Sequence, residues 1–201
     1  MHIMNNRERI FKAADRLFGE VGFDGASTSK IAEISNTNKA LIHYHFKTKE
    51  GLFQAVLECY FQNLSETLQE ALLQEGPIRG RLGHLINAYI DFLEHNKNYL
   101  RIVQREIMGG KNKGRIINHM IPIFEIIMDV IRETFPRTRS GDLSVEQLMI
   151  SFYGMIITYF TCSDVLQHLL KTDPMSKKNI RDRKKHLRTM VDMVLDTLQE
   201  D

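Results

Sequence analysis

Lys39, His43, Tyr44 and His45 bring an ammonium, two imidazoles and a phenol together within seven residues. At 100° per residue, Ile42 and Phe46 fall on one face of a helix. Ala40, Leu41, His43 and Tyr44 spread over the other side, with His45 at its edge. Rings that donate and accept, set beside small apolar groups on a short helix, suit a major groove. Such a groove admits a helix and presents donors, acceptors and thymine methyls. Ala40 and Leu41 fit the methyls, and the rings fit bases or phosphates. Thr28, Ser29 and Lys30 add hydroxyl and ammonium donors for phosphates. The same stretch also reads as an ordinary helical hairpin with its rings on the surface, and spacing alone leaves both readings open.

Positioning these groups falls to residues 27–49. Thr28 is suited to cap a short helix carrying Ile31, Ala32 and Ile34. Ser35-Asn36-Thr37-Asn38 is a polar break in which Asn36 tolerates a left-handed backbone. Asn38 caps the second short helix, Lys39 to Phe46. Upstream, Asn5 or Asn6 caps a helix with an apolar stripe at Ile10, Ala13, Ala14, Leu17, Phe18 and Val21, which Gly22 ends. Arg7 and Arg9 on it read as solvated charges. Thr48 caps a long helix reaching about Gln74, roughly 38 Å at 1.5 Å per residue. Lys49 stands in its first turn, where a cation opposes the helix dipole. A nearby phosphate would turn that cost into a gain.

Gly22-Phe23, Thr28-Ser29, Ile31-Ala32, Leu41 to Phe46 and Lys49-Glu50-Gly51-Leu52-Phe53 keep their relative spacing. Together they resemble the tetracycline-repressor (TetR) family of bacterial regulators over roughly the first 60 residues. The resemblance implies DNA binding, a phosphate contact for Lys49, and a sensor region in which a bound small molecule alters the spacing of the paired heads and releases DNA. Four positions depart from the family's usual pattern: Asn36 for Gly, Thr37 for Val, Leu41 for Thr and His43 for Tyr. The first two bear on the turn, the last two on which operator is read.

The 201 residues, 43% hydrophobic and 26% charged, suffice for a globular core, in one domain or two small ones. Net charge is +2, and the excess lies early: residues 1–50 hold 8 Lys/Arg against 6 Asp/Glu, and 27–49 hold four lysines against one glutamate. That modestly supports a phosphate-facing surface. Cys59 and Cys162 have neither metal-site nor redox-motif spacing and read as reduced, mostly buried thiols, with a thiol sensor as the other option. Asp91 and His95, one turn apart, lack a third metal ligand. No nucleophile elbow, phosphate loop or metalloprotease helix occurs, so neither an enzyme nor a cofactor is expected. No apolar run reaches 18 residues, and Met1-His2-Ile3-Met4 is too short for a signal peptide. A cytoplasmic home is expected, with Met4 a candidate natural start.

Beyond Gly76-Pro77 the pattern stays helical. Pro122 should kink or split the helix that contains it. Ser144-Val145-Glu146-Gln147 is a capping-box pattern. Tyr89, Phe92, Met108, Phe124, Met128, Phe152, Met155 and Tyr159 are candidates to line an adaptable apolar ligand cavity, alongside a plain core role for most of them. Heptad-like spacing makes Phe152, Ile156, Leu166, Val191, Val194 and Leu198 candidates for a two-fold four-helix dimer interface, with an intramolecular hairpin as the alternative. The basic run Lys177 to Arg188 reads as a solvated helix start.

The expected fold is therefore all-α, with about nine helices. A helix-turn-helix DNA-binding domain covers 4–64 (core 27–46), and a ligand-sensing and dimerisation domain covers 65–201. The expected function is a homodimeric regulator, most simply a repressor, that binds palindromic double-stranded operator DNA and is released by a small, largely apolar or aromatic effector. The alternative is a helical dimeric regulator controlled by a protein partner. No membrane partner is expected.

Overall fold

The computed structural model describes residues 4–199; residues 1–3, ahead of the candidate start at Met4, and 200–201 lie outside the described part. Among the described residues are ten α-helices, one short 3-10 turn at Pro136–Arg139 and no strand. The helices are α1 (Asn6–Gly25), α2 (Thr28–Ser35), α3 (Lys39–Phe46), α4 (Lys49–Leu73), α5 (Ile78–His95), α6 (Lys97–Ile107), α7 (Lys113–Thr134), α8 (Val145–Thr161), α9 (Ser163–Leu170) and α10 (Lys177–Gln199). The one more than expected arises at Cys162, where the apolar run from Val145 to Leu170 bends by 80° into α8 and α9. Pro122 does not split α7, which runs through it as one helix. No single helix among the described residues is long and apolar enough to cross a membrane; α8 and α9 together are, by length and composition only, across that bend.

The described residues group into two units, one up to Asn63 with Asn96–His119, the other Leu64–His95 with the described residues from Met120 on. The cut at 63/64 falls inside α4, next to the boundary expected at 64. The segment 96–119, assigned by sequence to the second domain, groups with the head.

In the first unit, α1 begins with a complete capping box. Asn5 Oδ1 accepts from the Glu8 amide at 3.0 Å, and Glu8 accepts from the Asn5 amide at 3.1 Å. Its buried stripe of Ile10, Ala13, Ala14, Leu17 and Phe18 is the one the periodicity marks, except that Val21 is exposed. Gly22 takes φ 77°, breaks the helix, and lets one further turn reach Gly25. Phe18, Phe23 and Phe53 pack as a ring cluster, with centroids 4.9–6.1 Å apart. α6 lies along α1 because Gly19 carries no side chain: a Cβ there would stand 2.7 Å from Asn98 Oδ1. Asp15 accepts from the Tyr60 hydroxyl at 2.5 Å and from Asn98 Nδ2 at 2.9 Å, joining α1, α4 and α6. Burial first, and then that bond to Asp15, pushes the Tyr60 phenol's pKa upward.

In the second unit, α5 and α10 pack antiparallel. Asp91 meets Lys184, Gly83 lies against Arg188, and Arg79 meets Asp192 (3.0 Å) and Asp196. Between these rim charges Ile180, Leu187, Val191, Leu195 and Leu198 are buried. The heptad-like spacing of α10 therefore serves packing within the chain. Ile156, Val191 and Leu198, candidates for a dimer seam, lie in the chain's own core with almost no surface left. Phe152, Leu166 and Val194 are half-buried. The apolar side chains that do face outward are others: Ile150 (64% exposed), Val165 (68%), Leu169 (73%) and Met193 (59%).

The basic run is less solvated than expected. Lys184 turns to Asp91, and Arg183 donates to the Met155 carbonyl at 2.6 Å and lies over the Tyr159 ring. Cys59 is exposed, not buried, because it falls on the outward side of α4 between buried Leu57 and Phe61; Cys162 is half-buried. Asp91 is held by Lys184, and the His95 Nδ1–H donates to the Asp91 carbonyl at 2.7 Å, so the two side chains are engaged apart from each other.

Candidate nucleic-acid interface

The N-cap of α2 is Ser27 rather than Thr28. Its Oγ accepts from the Lys30 amide at 3.2 Å, which puts Thr28 in the first turn. Ile31 and Ala32 anchor the helix inward, and Lys30 pairs with Glu33 at 2.6 Å on the surface. At the far end Asn36 takes φ 50°, ψ 49°. The Thr37 amide reaches back to the Ala32 carbonyl at 2.9 Å and the Asn36 amide to Glu33 at 3.1 Å, the pattern that closes a helix around a left-handed residue. Asn is the side chain other than Gly that adopts this conformation most readily, so the turn survives without the glycine. Thr37 has its own use: its hydroxyl meets buried Ser35 Oγ at 2.7 Å.

Two of the three arginines of α1 touch this motif: Arg7 from an exposed position and Arg9 from a half-buried one. Arg9 Nη2 donates to the Asn36 carbonyl at 3.0 Å, and the Arg7 guanidinium stacks over the Phe46 ring at 5.4 Å.

Asn38 caps α3, its Oδ1 accepting from the Leu41 amide at 2.9 Å. Ile42 and Phe46 are buried. Lys39, Ala40 and His43 are exposed, Tyr44 is 72% exposed, and Leu41 and His45 are half-exposed. Tyr44 and His45 support each other edge to face at 4.9 Å. The structure thus brings Lys39, Ala40, Leu41, His43, Tyr44 and His45 onto one presented surface. Ser29 and Lys30 are exposed and Thr28 is half-exposed on α2.

The exit from α3 is tight. The Thr48 amide donates to the Phe46 carbonyl at 2.7 Å, a three-residue turn centred on Lys47 at φ 65°, ψ −56°. A lysine in that conformation is strained by roughly 1–3 kcal/mol. Lys47→Gly is expected to stabilise the folded chain by up to about 1 kcal/mol, since part of the gain is lost to the freer unfolded glycine. Thermal melts of the two proteins check this. Thr48 Oγ1 caps α4 by accepting from the Gly51 amide at 3.0 Å.

Lys49 does not point outward to a phosphate. Its ammonium donates to the carbonyls of Phe23 (2.9 Å) and Ala26 (3.1 Å) and lies 4.2 Å from the Phe23 ring centroid. The break at Gly22 leaves the end of α1 with carbonyls needing donors, at the negative end of its dipole. A cation that is unfavourable for the start of α4 is favourable for the end of α1. Nothing local in the sequence marks that contact, which joins residues 23 and 26 positions apart.

Of the ligand candidates, Met108 stands apart. It caps α6 in the first unit and is 85% exposed, since the turn after Ile107 points it outward. Tyr89, Phe92, Phe124, Met128, Phe152, Met155 and Tyr159 belong to the second unit. There Phe124 packs edge-on against Tyr153 at 5.3 Å, Phe92 is buried, and the buried Tyr159 hydroxyl donates to the Pro174 carbonyl at 2.7 Å.

Residues 10–56 match the family model described as bacterial regulatory proteins, tetR family. The chain is 33% identical over 113 residues to the uncharacterized HTH-type transcriptional regulator YvkB of Bacillus subtilis, covering 56% of this chain and 57% of that protein. It is 30% identical over 97 residues to the HTH-type transcriptional activator FasR of Mycolicibacterium smegmatis, covering 48% and 44%. The chain thus spans about half the length of the curated relatives it matches. Among solved structures, the fatty acid degradation regulator FadR from Bacillus halodurans superposes with a TM-score of 0.70 over 94% of this chain and 97% of that one, at 15% identity, a likeness of fold. With the motif residues in their expected places and the family model matched across them, residues 10–56 form a domain of the kind found in bacterial regulatory proteins of the tetR family.

Proposed function

We propose that this protein is a homodimeric transcriptional repressor that binds a palindromic operator in the bacterial cytoplasm and leaves it when a small, largely apolar ligand binds. The carrying observation is the outer face of α3, where Lys39, Ala40, His43 and Tyr44 are exposed while Ile42 and Phe46 anchor the helix. A short helix locked at both ends and bare on one side has the shape that enters a major groove. The test is binding of the full chain to DNA from its own promoter region against random DNA at fixed salt. Tyr44→Ala is expected to cost about 1–3 kcal/mol on the promoter site and little on random DNA. Equal losses on both would remove the base-reading role. A reporter gene behind that promoter, rising when the regulator is deleted, distinguishes repression from activation.

Two-fold pairing is supported by the outward apolar side chains Ile150, Val165, Leu169 and Met193 on α8, α9 and α10, more surface of this kind than single scattered residues need. Leu169→Asp is expected to convert the dimer to monomer in sedimentation and, with it, to abolish operator binding, because paired half-sites about 34 Å apart need both heads.

The effector reading draws on the half-buried aromatic and methionine side chains of the second unit and on two polar atoms there. Arg183 Nε and Asn87 Oδ1 are buried without a hydrogen-bond partner. Burial lowers the Arg183 pKa. An apolar body against Phe124, Phe152 and Met155 with an anionic end at Arg183 would use both features. The fatty acid named for the Bacillus halodurans neighbour has that chemistry. A thermal-shift series with dodecanoate and dodecanol tests it; a ligand at 100 times its dissociation constant adds about 2.7 kcal/mol.

A further inference from the structure

We propose that the neutral His43 ring distinguishes bases with a major-groove amino group, adenine and cytosine, from those with a major-groove keto group, guanine and thymine, at one operator position, through an Nε2 that is left as the acceptor once the backbone behind it takes the Nδ1 proton. The proposal rests on α3 being the base-reading helix and names what one of its side chains reads.

His43 Nδ1 lies 2.7 Å from the Lys47 carbonyl oxygen. A carbonyl has no proton to give, so the Nδ1 carries the proton and donates it. The second nitrogen of the neutral ring, Nε2, is left with a bare lone pair. Turning the ring over would set a C–H against that oxygen and lose the bond, so orientation and tautomer are fixed together. The oxygen itself is fixed. Lys47 is held at φ 65°, ψ −56° by the Thr48–Phe46 bond, and its amide donates to the His43 carbonyl at 3.0 Å. Residues 43 and 47 therefore grip each other twice, once through the backbone and once through the ring. The ring is exposed beyond this grip.

An acceptor on a groove-facing helix has few partners. In the major groove the adenine N6 and cytosine N4 amino groups donate, whereas guanine N7 and O6 and thymine O4 accept. A phosphate oxygen also only accepts, so a neutral His43 held this way gains nothing from the backbone of DNA. A phenol at the same position, whose hydroxyl both donates and accepts, would tolerate either kind of base edge. The imidazole is the more exclusive reader.

The experiment selects operators from a randomised duplex pool with the full-length wild type and with His43→Ala and His43→Gln, which leave the buried residues of α3 untouched. Wild type is expected to show one position per half-site held to adenine or cytosine on one strand. Replacing that base by its deaminated skeleton, unsubstituted purine for adenine or pyrimidin-2-one for cytosine, should weaken wild-type binding about 3- to 10-fold and leave His43→Ala unchanged. His43→Gln, whose amide offers a donor or an acceptor, should accept all four bases there. Three results overturn the proposal: a guanine or thymine preference that depends on His43, no loss on removing the amino group, or identical consensus sequences for wild type and His43→Ala. In each of these, sequence-specific binding persists and α3 is still the reader. No sequence selection by the wild type would instead overturn the reading of α3 itself.

Discussion

Gly51→Ala unfolds the head under conditions where the wild type is intact: a loss of about 3 kcal/mol is expected in urea melts, with operator binding falling alongside. A Cβ at this position would stand 2.3 Å from the Phe46 carbonyl oxygen, far inside contact distance, and the atom it meets is backbone. A flexible side chain would move aside, but this oxygen also accepts the Thr48 amide that closes the turn after α3. Relief requires α4 to lift away from the end of the reading helix. The glycine is needed for space and not for its backbone freedom. A left-handed requirement would be met in part by Asn, whereas here Gly51→Asn should be no better than alanine. Wild-type stability in Gly51→Ala would show that the junction has room the geometry denies.

Lys49→Ala is the second large effect, and it is expected without any DNA present. Two charge-assisted hydrogen bonds to α1 and the contact over Phe23 are lost together, for a destabilisation of about 1.5–3 kcal/mol. The carbonyls of Phe23 and Ala26 then need other donors. The melting temperature of the free protein separates the two roles open to this lysine. A phosphate anchor would leave the free protein's melt unchanged and weaken all DNA binding, whereas a staple between helices lowers the melt itself. Lys49→Arg should recover only part of the loss, because a planar guanidinium does not fit two carbonyls beneath a ring as a compact ammonium does.

Local grammar was legible in the residues, and long-range geometry was not. The caps at Asn5 and Asn38, the left-handed turn at Asn36, the break at Gly22 and the bare face of α3 all follow from interactions within a few positions, which spacing encodes. The Lys49 contact is not legible because its partners are carbonyls at the end of another helix, and a carbonyl leaves no mark in side-chain identity. The bond from Arg9 to the Asn36 carbonyl is hidden for the same reason, while Arg7 stays exposed as its surface position implies. Val191 and Leu198 show a different limit. A heptad-like stripe says that a helix is covered on one side, and both α5 of the same chain and a second copy satisfy it. The grouping of 96–119 with the head hangs on Gly19 and Asn98 fitting together, a pairing invisible until the helices are side by side. Met108 has the chemistry of a cavity lining, but side-chain chemistry carries no information on which way the turn after Ile107 faces.

The engagement of several cations with partners inside the head has a consequence for how a DNA-binding regulator built this way would search a chromosome. In the first 50 residues Arg7 lies on an aromatic ring, Arg9 on a turn carbonyl, Arg16 and Lys30 on glutamates, and Lys49 on the end of α1. Few mobile ammonium groups remain to displace counterions from DNA, and non-specific affinity grows with the number displaced. A protein arranged this way is expected to reside little on bulk DNA, with an operator affinity that falls only gently as salt is raised in a binding titration. Its occupancy then depends chiefly on how well a few groove-facing side chains match the bases, so sequence fit, more than charge, governs where it stops.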